Sequence, residues 1–213
     1  MKKIIFVLVL CSSTSLASAT EAKLENIRVD TSMTAVERGA DTLMNYCHSC
    51  HSLKYIKYRD LVSFGMDKKK IEAWRGDQPL DAPLASLMSD DAAKQSFGLI
   101  PPDLSLMTNA REGGASYVYS YLLGYYTTPE GTTSNHIFPD TKMPDALGMS
   151  GTTELAQQDE LRGKARDLVS FLAWAADPHQ GERHRLGYYV IGYLVFLTLL
   201  LYIVKKQIWS RLN

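Results

Sequence analysis

The chain has 213 residues, 46% of them hydrophobic and 22% charged, with a formal net charge of zero. That composition excludes a disordered or low-complexity polymer and leaves room for one domain of ordinary size with additions. All 23 acidic residues but only 16 of the 23 basic ones lie between Glu21 and Glu182, so that span carries −7, the wrong sign for a nucleic-acid surface and the right one for steering a basic protein partner.

The N-terminus reads MKKIIFVLVLCSSTSLASAT. Lys2 and Lys3 form a basic start, Ile4 to Leu10 a short apolar run, and Ala17-Ser18-Ala19 a small-residue cleavage site, the pattern of a secretory signal peptide. Residues 1–19 are therefore expected to be removed, with the mature chain starting at Thr20. A lipoprotein signal at Cys11 is the weaker reading, because Leu10 is bulky. Cleavage after Ala19 leaves Cys47 and Cys50 as the thiols of the mature protein.

From Thr34 to Cys47 the spacing predicts a helix, with Val36, Gly39 or Ala40, Leu43 and Cys47 on one face. A glycine on that face costs helix stability and suggests a close crossing by another helix. The segment NYCHSCHSLKY follows, Asn45 to Tyr55. Two thiols three apart with an imidazole directly behind suit a redox disulfide, half a zinc site, or covalent haem attachment. A thioredoxin-like pair needs a βαβ context, which no strand pattern supplies here. Structural zinc needs four ligands, and no second cysteine pair exists. Haem attachment uses every residue: both thiols add across the vinyl groups of one porphyrin, and His51 becomes an axial ligand of the iron. His48, inside the segment, is expected to face solvent.

Beyond lie loops rich in proline and glycine, including GLIPPDLSL and FPDTKMPDALG, and two further helices, Ser116 to Tyr125 and Gln158 to Ala176. In the last of these Leu161, Ala165, Leu168, Leu172 and Ala175 form an apolar stripe, and Asp177-Pro178 with Gly181 end it. No strand alternation of any length is visible. A mostly helical reading with long loops suggests a chain wrapped around something. An electron carrier needs a second axial ligand. Met143 is favoured, in an extended loop pinned by Pro139 and Pro144, since the residue before proline is biased to extended backbone. Met107 and Met149 compete, and His136 would make a bis-histidine site. Arg111 could neutralise a haem propionate.

Finally, Leu186 to Val204 holds no charged residue. At 1.5 Å per residue it reaches roughly 28 Å, close to the thickness of a bilayer core. Tyr188, Tyr189 and Tyr202 lie near its ends like an interfacial belt. With an exported N-terminus, residues 20–184 are expected in the periplasm, 185–205 in the membrane, and 206–213 in the cytoplasm.

With these pieces in order, the sequence resembles the cytochrome c1 family, the haem-bearing subunit of the ubiquinol–cytochrome c reductase (cytochrome bc1) complex. The resemblance runs from about Val36 to the end and rests on CHSCHSLKYIKYRDL, PPDLSL, AREGGASYVYSYLLGY, the Met143 loop, FLAWAADP and the single C-terminal helix. It implies a mostly α, class I cytochrome c-like domain with long loops and one transmembrane helix. It implies one covalent haem c on Cys47 and Cys50, with axial ligands His51 and Met143. Arg111 and Tyr117 would meet the propionates, and Pro101 and Pro102 would line the haem face. Gly39 would face Leu168 or Phe171 at a helix crossing. The implied partners are cytochrome b, a Rieske iron–sulfur protein as electron donor, and a c-type cytochrome as acceptor, in a bacterial inner membrane. The chain departs from the family pattern at Ser96-Phe97-Gly98 and Ala115-Ser116, and has no spare cysteine for an extra disulfide. Two other readings stand beside it: a free-standing tethered cytochrome c, and a haem-based sensor with an open sixth site.

Overall fold

The computed structural model describes residues 23–211. The signal-peptide reading, Cys11 included, falls outside the described residues. Helix α1 spans Met33–Tyr46. Ser32 starts it by accepting the Ala35 N–H on its hydroxyl at 3.3 Å, the usual way to satisfy a free donor at a helix N-terminus. Its inner face carries Val36, Gly39, Ala40 and Leu43, all buried.

That face crosses α7, Leu155–Ala176, as the period-3.6 pattern requires. The crossing is close because Gly39 has no side chain. A Cβ there would lie 2.0 Å from the Asp167 carbonyl oxygen and 2.7 Å from the Phe171 Cβ. Phe171 is thus the partner Gly39 meets. Leu168, Leu172 and Ala175 are buried on α7 as the stripe predicts, and Phe171 is fully buried beside them. An exposed fork from Arg38 to Asp167, at 2.6 and 3.0 Å, brackets the crossing.

Helix α6, Gly114–Leu123, and the one-turn α5, Met107–Ala110, pack beside α7. Three more short helices stand in the segments read as loops: α2 (Tyr58–Phe64), α3 (Lys68–Arg75) and α4 (Asp90–Phe97). Asp67 and Ser89 cap the last two through their side chains.

No strand alternation is visible in the sequence, and among the described residues two short antiparallel pairs accompany the mostly helical fold. β1 (Leu53–Lys57) pairs with β2 (Pro83–Leu84), and β3 (Tyr125–Thr127) with β4 (Thr133–Asn135). β1 escapes an alternation test because its register shifts between Leu53 and Lys57, so its buried residues are Leu53 and Ile56, three apart. The other three strands have two or three residues, too few to show a period.

After a three-residue break at Asp177-Pro178-His179, α8 runs from Gln180 to Ser210. It begins before the apolar Leu186–Val204 stretch, so its first turns are polar. It is long and apolar enough to cross a membrane, and none of that stretch is buried within the protein.

Candidate functional site

The end of α1 does not simply stop. Cys47 N–H still donates to Leu43 O at 2.8 Å, and the N–H groups of Cys50 and His51 both return to Cys47 O, at 3.1 and 2.8 Å. This tight turn brings Cys47, Cys50 and His51 to one cleft. The loops hold it from two sides. Leu87 and Met88 donate to the carbonyls of His48 and Ser49. On the other side Leu104 N–H donates to Ser52 O at 2.8 Å, and Asp103 accepts from Lys54 N and Ser105 N, each at 2.9 Å.

That stitching sets Pro102 O 2.8 Å from His51 Nδ1. A carbonyl oxygen can only accept, so Nδ1 carries the proton and Nε2 keeps a free lone pair. Burial pushes the His51 pKa down, which holds the ring neutral, the form that binds metal. The ring is therefore oriented and protonated as an axial ligand needs. Pro101 and Pro102 thus supply a wall and also the acceptor that fixes the imidazole.

The cleft has two adjoining lobes. The larger encloses about 1070 Å³ and the smaller about 500 Å³, open solvent at their mouths included. Cys47, His51, Pro102 and Met143 border both; Cys50 and Pro101 border the smaller, Arg111 and Tyr117 the larger. All eight residues singled out in the sequence thus meet at one cleft. Helices α6 and α7 floor it with Val118, Leu122, Leu168 and Leu172. The size suits a large planar cofactor.

The residues fit a haem on donor chemistry as well. Burial, with Cys50 beside it, pushes the Cys47 thiol up to about 12. A redox-active pair instead needs a depressed thiol pKa. Among the described residues no three His, Cys, Asp or Glu side chains are grouped to hold a zinc ion. Of the competing sixth ligands, Met107 lines only the larger lobe, from α5. Met149 lies in a separate 3₁₀ turn, and His136 stacks on Tyr126 at 4.1 Å, away from the cleft. The Arg111 guanidinium lies 6.0 Å from the Tyr117 ring centre, so this pair shares one rim.

One expectation is corrected. His48 does not face solvent: it is 4% exposed, its Nδ1 has no partner, and burial lowers its pKa. The Leu87 and Met88 amides donate to the carbonyls of His48 and Ser49, a long-range contact invisible in local spacing.

A ring of hydroxyls that no local spacing in the sequence reveals lies behind Met143. Tyr125 Oη lies 3.0 Å from Met143 O and 3.0 Å from Tyr121 Oη. Tyr121 Oη lies 2.5 Å from Thr141 Oγ1, which accepts the Met143 N–H at 3.2 Å. Burial, with Tyr121 beside it, raises the Tyr125 pKa, so it remains a protonated donor. The tyrosines at i and i+4 hint at a shared face, but Thr141 and Met143 reach them only through the fold.

The sequence model of the Cytochrome C1 family matches residues 24–79 and 72–212. Cytochrome c1 of Allochromatium vinosum is 33% identical over the full length of both chains. The ammonia monooxygenase gamma subunit of Nitrosomonas europaea is 28% identical over 100% of this chain and 99% of that one. A chain of a hyperthermophilic respiratory Complex III structure aligns over 90% of this chain and 88% of its own length, with a TM-score of 0.50 and 22% identity, a likeness of fold.

Proposed function

The chain belongs to the cytochrome c1 family, the membrane-anchored haem subunit of the cytochrome bc1 electron-transfer complex, and we propose on that premise that it relays one electron at a time from a Rieske iron–sulfur protein to a c-type cytochrome. A single haem c would be held by thioether links from Cys47 and Cys50, with His51 and Met143 as axial ligands. When bound, its iron supplies the chemistry, cycling between ferric and ferrous states.

The protein's own residues do the rest. Pro102 holds the proton on His51 Nδ1. Arg111 and Tyr117 offer a cation and a hydroxyl at the rim for the propionates. The apolar floor would keep water from the iron, and the Met143 thioether would favour its ferrous state and raise the potential. With His51 and Met143 both holding the iron, little would rearrange when its charge changes. We place residues 20–184 in the periplasm, 185–205 in the membrane beside cytochrome b, and 206–213 in the cytoplasm of a bacterial cell, from the export signal and the apolar span.

The observation that carries this reading is the convergence of Cys47, Cys50, a pre-oriented His51 and Met143 on one apolar cleft. Mild detergent extraction tests it. The expected result is co-purification with cytochrome b and a Rieske protein, and a denatured polypeptide that keeps one haem through acid-acetone. Purification without cytochrome b would favour a free-standing tethered cytochrome. The name of the Nitrosomonas relative raises an oxygenase role, and an oxygenase needs an iron open to dioxygen. A reduced protein indifferent to carbon monoxide argues for the relay; ready carbon monoxide binding would overturn it.

A further inference from the structure

A thioether is a weak ligand, and Met143 presents it from a loop with no regular secondary structure between Asn135 and Met149. Something must hold that backbone. Both described cysteines sit in the haem segment, so no disulfide does so. Met143 cannot be tied through the next residue's amide, because Pro144 has no N–H. Its own N–H donates to Thr141, in the same loop. The bond that ties the Met143 backbone to a regular element is the one its carbonyl accepts from Tyr125 Oη, at 3.0 Å.

Tyr125 is itself firmly held. It is 5% exposed and pairs across β3–β4 with Asn135, which is fully buried. The Asn135 amide donates to Tyr121 O at 2.8 Å, and its Oδ1 accepts from Ile137 N and Phe138 N at 2.8 and 3.2 Å. The base of the loop is therefore fixed where it leaves β4. The tyrosine rings meet edge to face, 5.7 Å apart at 72°. Tyr125, Tyr121, Thr141 and Met143 close a ring of hydrogen bonds. Tyr121, Thr141 and Met143 border the cleft, whereas Tyr125 does not. Tyr125 thus has no contact with the cofactor space and acts through Met143.

We propose that Tyr125 is the positioning residue for the sixth ligand: its hydroxyl clamps the Met143 carbonyl and presets the thioether toward the iron. This rests on the assignment of Met143 as axial ligand. Preorganisation removes the ordering cost that a free loop would carry at each ligation event. Its loss shows first in the ferric protein, where the harder ion grips a soft thioether less well. Ferric iron that sheds methionine is stabilised relative to ferrous iron, so the potential falls.

The test uses the full chain in detergent with its covalent haem. Tyr125→Phe removes one oxygen and keeps the ring. The expected result is intact haem attachment, a weakened charge-transfer band of ferric methionine-ligated haem, a lowered potential, and carbon monoxide binding to the reduced iron raised by roughly tenfold, the size of effect expected when one hydrogen bond of about 1.4 kcal/mol is lost. Thr141→Val breaks the same ring from the loop side and is expected to move the same readouts, which keeps the test open should the phenylalanine variant fold poorly. Met143→Leu, run in parallel, is expected to abolish the band outright. If Met143→Leu does so while Tyr125→Phe and Thr141→Val keep native band, potential and carbon monoxide indifference, the clamp is refuted and the ligand stands. If Met143→Leu itself leaves the spectrum native, the ligand assignment fails and takes the clamp with it.

Discussion

His48 occupies the centre of the thiol segment with its ring buried and its Nδ1 unpaired. Burial penalises the charged ring, so its folded pKa lies below the ordinary 6.5, with a backbone contact near His51 only partly opposing. The unfolded chain then binds the proton that the folded chain refuses. The stability involved is fully present above 6.5 and declines as pH falls below it. His48→Gln, which cannot titrate, is expected to lose less stability than the natural chain between about pH 7.5 and 5.5, a window above the carboxylates and spanning the imidazole. Denaturant midpoints at the two pH values measure this. Equal losses in the two proteins would show that His48 is not desolvated. Residue identity in the sequence announced the thiols and His51, because their spacing alone carries the chemistry. It said nothing of whether His48 is covered, since Leu87 and Met88 lie some forty positions away in the chain. Nor did it show the Pro102 carbonyl or the Tyr125 hydroxyl, both of which act on atoms far off in sequence.

At the scale of elements, the α1–α7 crossing fixes where the haem segment begins, because α1 runs directly into Cys47. Gly39→Ala sets two effects against each other. Alanine favours a helix over glycine by up to about 1 kcal/mol. The added Cβ would meet a backbone carbonyl at 2.0 Å and the Phe171 Cβ at 2.7 Å, and neither is the far end of a flexible chain. Overpacking of that kind costs roughly 1–3 kcal/mol, occasionally more, so a net loss of about 2 kcal/mol is expected in chemical unfolding, with a lower yield of haem-loaded protein. An alanine variant as stable as the natural chain would mean that the helices cross elsewhere. This crossing was legible, as were α1, α6 and α7, because each presents an apolar face at helical period. The short helices α2 to α5 and the two strand pairs were not. A bulge scrambles the alternation of β1, and α5 is one turn long; such elements exist because of what they pack on.

For the whole molecule the question is whether α8 belongs to the fold or only to the membrane. It has 31 residues, about 46 Å at 1.5 Å per residue, more than the roughly 30 Å of a bilayer core. None of its residues is buried, so its Leu, Tyr and Phe side chains form one continuous exposed apolar surface that only lipid or another subunit can cover. The domain, in contrast, has its core complete by Ala175, the last buried residue of α7. What α8 gives the domain is an exposed ion pair from Arg183 to Asp177, and such pairs contribute roughly 0–1 kcal/mol. A chain ended after Pro178 is therefore expected to leave the membrane as a soluble protein with its covalent haem, absorbance spectrum and unfolding midpoint unchanged, while losing co-purification with the other subunits of the complex. Absorbance, denaturant unfolding and size-exclusion chromatography of the soluble extract measure this. A truncated chain that aggregates, or whose reduced iron takes up carbon monoxide, would show that α8 supports the haem cleft as well as anchoring it.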